Sequence, residues 1–80
     1  MGYEIIYSKQ ANKYLDSQPL AISQRIEAAI ENLPAGNVKK MQGRRGYRLK
    51  IGDFRVVFDY ENETTITVLY IASRGDVYKK

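Results

Sequence analysis

YRLKIGDFRVVFDY, residues 47–60, is the stretch whose pattern decides the fold. Side chains along a strand point alternately to opposite faces. Tyr47, Leu49 and Ile51 therefore share one face, and Arg48 and Lys50 share the other. Gly52-Asp53 reads as a tight turn. Beyond it, Phe54 to Tyr60 is a second strand, with Val56 and Phe58 on one face and Arg55, Val57 and Asp59 on the other. Pairing the two strands as a hairpin brings Arg55 close to Arg48 and Lys50. Three cations then occupy one sheet face, while the apolar set needs cover on the opposite face.

Working outward, Glu61-Asn62-Glu63-Thr64 is a polar hairpin loop, and Thr65 to Ala72 is a strongly apolar strand expected to be central in the sheet. A tail follows, from Ser73 to Lys80. On the N-terminal side, Val38 to Gly46 reads as a basic, glycine-containing connection. Before it, Ile22, Ile26, Ala29, Ile30 and Leu33 recur at helical spacing, with Gln24, Arg25, Glu27 and Glu31 off the stripe. Pro34-Ala35-Gly36-Asn37 stops this helix, and Pro19 suits its first turn. Ser8 is the expected N-cap of an earlier helix running to about Asp16, with Ala11, Tyr14 and Leu15 on one face. Tyr3 to Tyr7 reads as a short strand. The predicted order is β-α-α-β-β-β over a single domain, residues 1–80. Two N-terminal helices cover one face of a small, mainly antiparallel sheet, an α+β fold.

Composition narrows the chemistry. Eighty residues make one small domain, and 44% hydrophobic content is globular. The chain has no cysteine and no histidine, which excludes disulfides, thiolate metal sites and a histidine acid/base pair. Its carboxylates are scattered, so no metal and no cofactor is expected. The opening MGYEIIYSKQ lacks the apolar core of a secretory signal, and no apolar run is long enough to span a membrane. A cytoplasmic protein with no membrane partner is the expectation.

The net charge is +4, but its location says more. Between Lys39 and Arg55 lie seven basic residues and one acid, Asp53, for a local charge of +6; the rest of the chain sums to −2. A polyanion, nucleic acid above all, is the natural partner of such a segment. For any one of these cations, plain surface location is the default reading. A cluster on one sheet face is less easily dismissed, because like charges in register repel. Lys39, Lys40, Arg44 and Arg45 are read as a basic loop that contacts RNA or the ribosome. Tyr14, Tyr47, Tyr60 and Tyr70 are read as packing residues.

The C-terminal half resembles the RelE/ParE superfamily of toxins. The resemblance is carried by Tyr47-Arg48-Leu49-Lys50, by Gly52-Asp53-Phe54-Arg55, by the apolar strand from Val68 to Ala72, and by Arg74-Gly75-Asp76-Val77-Tyr78. The β-α-α portion agrees in order and length, so nearly the whole chain is covered. RelE-type members are ribosome-dependent messenger-RNA interferases; ParE-type members act on DNA gyrase and generally lack the nuclease residues. The working groups of RelE-type enzymes match Arg48, Lys50, Arg55, Arg74 and Tyr78, and this match favours the RelE type. Two departures are Ser73, where many relatives have histidine, and a chain that stops two residues after Tyr78, without the C-terminal helix found in some relatives.

The resemblance implies a toxin of a type II toxin-antitoxin system that cleaves mRNA by attack of a ribose 2′-hydroxyl on its own phosphodiester. Arg48, Arg55 and Arg74 would neutralise charge on phosphate, Lys50 is the candidate general base, and Tyr78 would stack on or orient a base. The same resemblance implies a cognate antitoxin, a toxin-antitoxin hetero-oligomer, and mRNA and ribosome as targets. The alternatives are a ParE-like gyrase inhibitor without nuclease activity, an inactive module that only binds antitoxin or RNA, and a plain RNA-binding domain.

Overall fold

A computed structural model describes residues 2–73 of the chain. Arg74 and Tyr78, expected site residues, lie outside the described residues. The elements are β1 (Glu4–Tyr7), α1 (Lys9–Asp16), α2 (Leu20–Glu31), β2 (Asn37–Lys40), β3 (Tyr47–Ile51), β4 (Phe54–Tyr60) and β5 (Thr65–Ser73). Across the described residues they form a five-stranded sheet in the order β1-β5-β4-β3-β2. All pairings are antiparallel except β1 with β5, which is parallel. The α+β architecture is the expected one, with two differences in the sheet.

First, β2 lies within what reads as a basic connection. Asn37–Lys40 has no apolar alternation, yet it pairs antiparallel with β3, from Asn37 opposite Lys50 to Lys40 opposite Tyr47. Its strand state comes from that ladder rather than from its own composition. Second, β5 is flanked on both sides, by β1 and β4, but the middle strand is β4.

Both helices lie on one face of the sheet and bury their stripes against it. Ala11 and Leu15 of α1, Ile26 and Ile30 of α2, and Leu33 just beyond meet Leu49, Val56, Phe58, Ile66, Val68 and Ile71 from the strands. Each of the Leu, Ile, Val and Phe side chains among them contributes roughly 1.5–3 kcal/mol by leaving water. The Ser8 hydroxyl caps α1 by accepting from the Ala11 N–H at 3.1 Å. It also donates to the Leu69 carbonyl at 2.7 Å, tying the helix start to β5. Pro19 sits at the N-cap of α2, one position before the first turn expected for it.

The β1–β5 ladder ends at Tyr7 opposite Val68, well short of the end of β5. Gln10 continues it with a side chain. Its amide nitrogen donates to the Ile71 carbonyl at 3.1 Å, and its amide oxygen accepts from the Ile71 N–H at 3.0 Å. A side-chain amide here does what a paired backbone would do. Tyr7 joins β1 to the end of α2 by donating to Glu31 Oε2 at 3.1 Å. No helix among the described residues is long and apolar enough to cross a membrane.

Candidate functional site

The face of the sheet opposite the helices is where the cations collect. The β3–β4 turn sets their register. Gly52 takes φ +57° at the first turn position, a conformation that favours glycine. The two-residue turn places Ile51 opposite Phe54, and so Lys50 directly opposite Arg55. One step along the same face, Arg48 lies opposite Val57. The hairpin expectation therefore holds: Arg48, Lys50 and Arg55 share the uncovered face, while Leu49, Val56 and Phe58 are buried on the other.

Strand β2 adds a cation that reading residues 38–46 as a connection had separated from these. Lys39 pairs with Arg48 and so shares its face. The result is two cross-strand pairs of like charge, Lys50 with Arg55 and Lys39 with Arg48. Directly opposed like charges cost roughly 0.2–1 kcal/mol per pair. Among the described residues none of the four is in an ion pair; the one ion pair found there joins Arg45 to Asp59 at 3.5 Å. The Nε of Arg55 is buried and donates to no acceptor within the described structure. A guanidinium held in this way, beside a second cation, can donate to the oxygens of an anion without first breaking a bond.

The other basic residues divide. Lys40 is the neighbour of Lys39, yet strand alternation turns it to the opposite face, where its Nζ lies 5.7 Å from the centre of the Tyr47 ring. Arg45 is exposed and reaches Asp59. Arg44 is exposed in the β2–β3 connection, beside a shallow depression lined also by Lys40, Met41, Gln42 and Gly43. A second depression, lined by Lys39, Lys40, Met41, Gln42 and Arg48, opens next to the cation pairs. Gly46 closes the connection at φ +105°, with its α-carbon so near the Phe58 carbonyl that a Cβ would stand 3.1 Å from that oxygen.

Tyr47 and Tyr60 pack as expected. Tyr47 stacks on Phe58 with ring centres 5.6 Å apart and meets Tyr60 edge-on at 5.2 Å, and Tyr3 adds a tilted contact to Tyr60 at 5.6 Å. Burial, with Tyr3 and Tyr47 nearby, raises the Tyr60 phenol above its ordinary range. Among the described residues no group of three or more acidic residues is placed to hold a metal ion.

Comparison with known proteins agrees with this fold. The chain resembles the toxin in the RelB-RelE antitoxin-toxin complex from Methanococcus jannaschii, with 27% identity, a TM-score of 0.72, and 91% of this chain and 94% of that chain covered. It likewise resembles the archaeal RelE-RelB complex from Pyrococcus horikoshii OT3, with 29% identity, a TM-score of 0.72, and 94% and 98% covered. An E. coli RelE mutant in the free state shares the fold at 17% identity, with a TM-score of 0.70 and 98% and 92% covered. No curated protein sequence matches significantly. The family model that matches, over residues 4–78, is the ParE toxin of type II toxin-antitoxin systems, parDE. With a RelE-like fold and a family match across nearly its whole length, the chain belongs to the ParE toxin family within the RelE/ParE superfamily, the toxins of type II toxin-antitoxin systems.

Proposed function

We propose that this toxin is a ribosome-dependent, metal-independent endoribonuclease acting on mRNA in the cytoplasm, and that a cognate antitoxin restrains it in a hetero-oligomer. The observation that carries the reading is the set of cations on the uncovered sheet face, without ion partners among the described residues, with Lys50 directly opposite Arg55 and Arg48 beside them. In the reaction a substrate 2′-oxygen forms a bond to phosphorus while the bond to the 5′-oxygen breaks. One proton leaves the 2′-hydroxyl and one reaches the 5′-oxygen, giving a 2′,3′-cyclic phosphate and a 5′-hydroxyl. Lys50 is the candidate acceptor of the first proton. Arg48 and Arg55 stabilise the charge that develops on the phosphate oxygens. Arg74 is assigned to the leaving oxygen and Tyr78 to a base, both from the family resemblance. The ribosome supplies the substrate geometry that a weak acid/base set needs. The solved relatives from M. jannaschii and P. horikoshii are complexes with RelB, which supports the antitoxin as partner here.

The test is cleavage of mRNA on programmed ribosomes, mapped by primer extension. Wild-type protein is expected to cut at defined A-site positions, with Lys50→Ala, Arg55→Ala and Arg74→Ala each reducing cleavage at least tenfold. Folded wild-type protein that makes no cuts overturns the reading. A gyrase inhibitor is the second reading, favoured by the description of the matched family. It predicts gyrase-dependent DNA damage with mRNA left intact.

A further inference from the structure

We propose that the uncovered sheet face holds two successive phosphates of one single strand, and that Lys39 is the outer cation of the second seat. The proposal deepens the nuclease reading and rests on it for the substrate being single-stranded RNA. The first seat is the Lys50–Arg55 pair and the second is the Lys39–Arg48 pair. Each couples an arginine, whose fork matches two phosphate oxygens, to an exposed lysine one strand further toward the β2 edge. The seats lie two residues apart along β3, roughly 7 Å, and are offset by one inter-strand spacing of roughly 5 Å. Long side chains close that diagonal, so successive phosphates of an extended strand can occupy both. The path leads toward the depression lined by Lys39, Lys40, Met41, Gln42 and Arg48. A structural account of two directly opposed like-charge pairs, side by side and without acidic partners among the described residues, is hard to give; two bound phosphates offset both repulsions. Lys40 belongs to neither cross-strand pair: it borders that depression, but its Nζ lies 5.7 Å from the centre of the Tyr47 ring.

The probe is a 2′-O-methyl trinucleotide with two internal phosphates and no terminal phosphate, which cannot be cleaved by 2′-attack. Binding is followed by NMR titration over a series of salt concentrations. For single strands the slope of log K against log salt is about −0.7 for each phosphate neutralised. Wild-type protein should give about −1.4, falling to about −0.7 when either phosphate is replaced by a neutral methylphosphonate. Lys39→Met should show the shallower slope with the unmodified probe and lose its response to one of the two replacements. Lys39→Arg should restore wild-type behaviour, and Lys13→Met, on α1, should leave it unchanged. Lys39 is exposed on an edge strand, so these substitutions leave the core intact. Lys39→Met protein that responds to both replacements as wild type does would overturn the proposal. So would a trinucleotide that wild type binds no more steeply than a dinucleotide. The binding readout is independent of cleavage: two-phosphate binding without ribosomal cutting sinks the nuclease reading alone, and cutting with one-phosphate binding sinks this proposal alone.

Discussion

Replacing Arg55 with methionine should make the protein more stable and less active at once. Arg55 is half-buried in β4, with its Nε shielded and unpartnered among the described residues and Lys50 directly across the ladder. A buried donor left without a partner costs roughly 1–3 kcal/mol, and the opposed like charge roughly 0.2–1 kcal/mol. Partial exposure of the side chain pulls the first figure toward its lower end. Methionine keeps most of the aliphatic stem and its packing while removing both penalties. The net expectation for Arg55→Met is a gain of about 1 kcal/mol, which in a domain of this size raises Tm by about 4–8 °C. Thermal unfolding followed by circular dichroism on the isolated toxin measures this. Repeating it at high salt should shrink the charge part of the gain and leave the desolvation part. Ribosomal mRNA cleavage by the same variant should fall at least tenfold. A lower Tm for Arg55→Met would refute the reasoning, since it would make Arg55 a stabilising member of the sheet rather than a group held ready for a ligand.

Gln10→Leu should destabilise by roughly 1–3 kcal/mol in urea unfolding, because it removes both bonds to Ile71 and leaves that N–H and carbonyl facing a hydrocarbon; faster amide exchange at Ile71 is the local signature. Gly46→Ala should cost roughly 1–3 kcal/mol, from a Cβ pressed against the Phe58 carbonyl at a backbone angle that L-residues avoid; an unchanged urea midpoint would contradict the geometry. Tyr7 gives a pH prediction. Burial, then the charge of Glu31, the hydrogen bond to it, and Glu27 raise the phenol above its ordinary value near 10. The folded state therefore resists losing this proton more than the unfolded state does. Its contribution is fully present below about pH 10 and is lost as pH rises beyond, through the folded value. Tyr7→Phe should flatten the decline of the urea midpoint between pH 9 and pH 11, and a decline as steep as that of wild type would count against the assignment.

The sequence reveals most where its pattern and its tertiary setting agree. YRLKI alternates cleanly up to a glycine turn, and Arg55-Val56 resumes the alternation beyond it before Val57 breaks it, so β3, β4 and the shared face of Arg48, Lys50 and Arg55 follow from periodicity and the turn. The α2 stripe and the Ser8 cap are legible for the same reason. Asn37-Val38-Lys39-Lys40 has no such pattern, and only pairing with β3 makes it a strand. Once it is a strand, alternation parts Lys39 from Lys40, which a loop reading keeps together. The Gln10 amide is equally silent in sequence, since its partner Ile71 lies 61 residues away.

The parallel pairing of β1 with β5 also bears on how the toxin comes into being. Successive strands of the β2-to-β5 meander pair with near neighbours in sequence, so those hairpins can close as soon as they emerge during synthesis. β1 is made early but has no partner until Thr65–Val68 has been made. Helix α1, bound to the same strand through Ser8 and Gln10, must wait with it. The sheet face that carries the cations can therefore form before the other side of the core is sealed. A chain interrupted before residue 65 has a first strand with nowhere to dock.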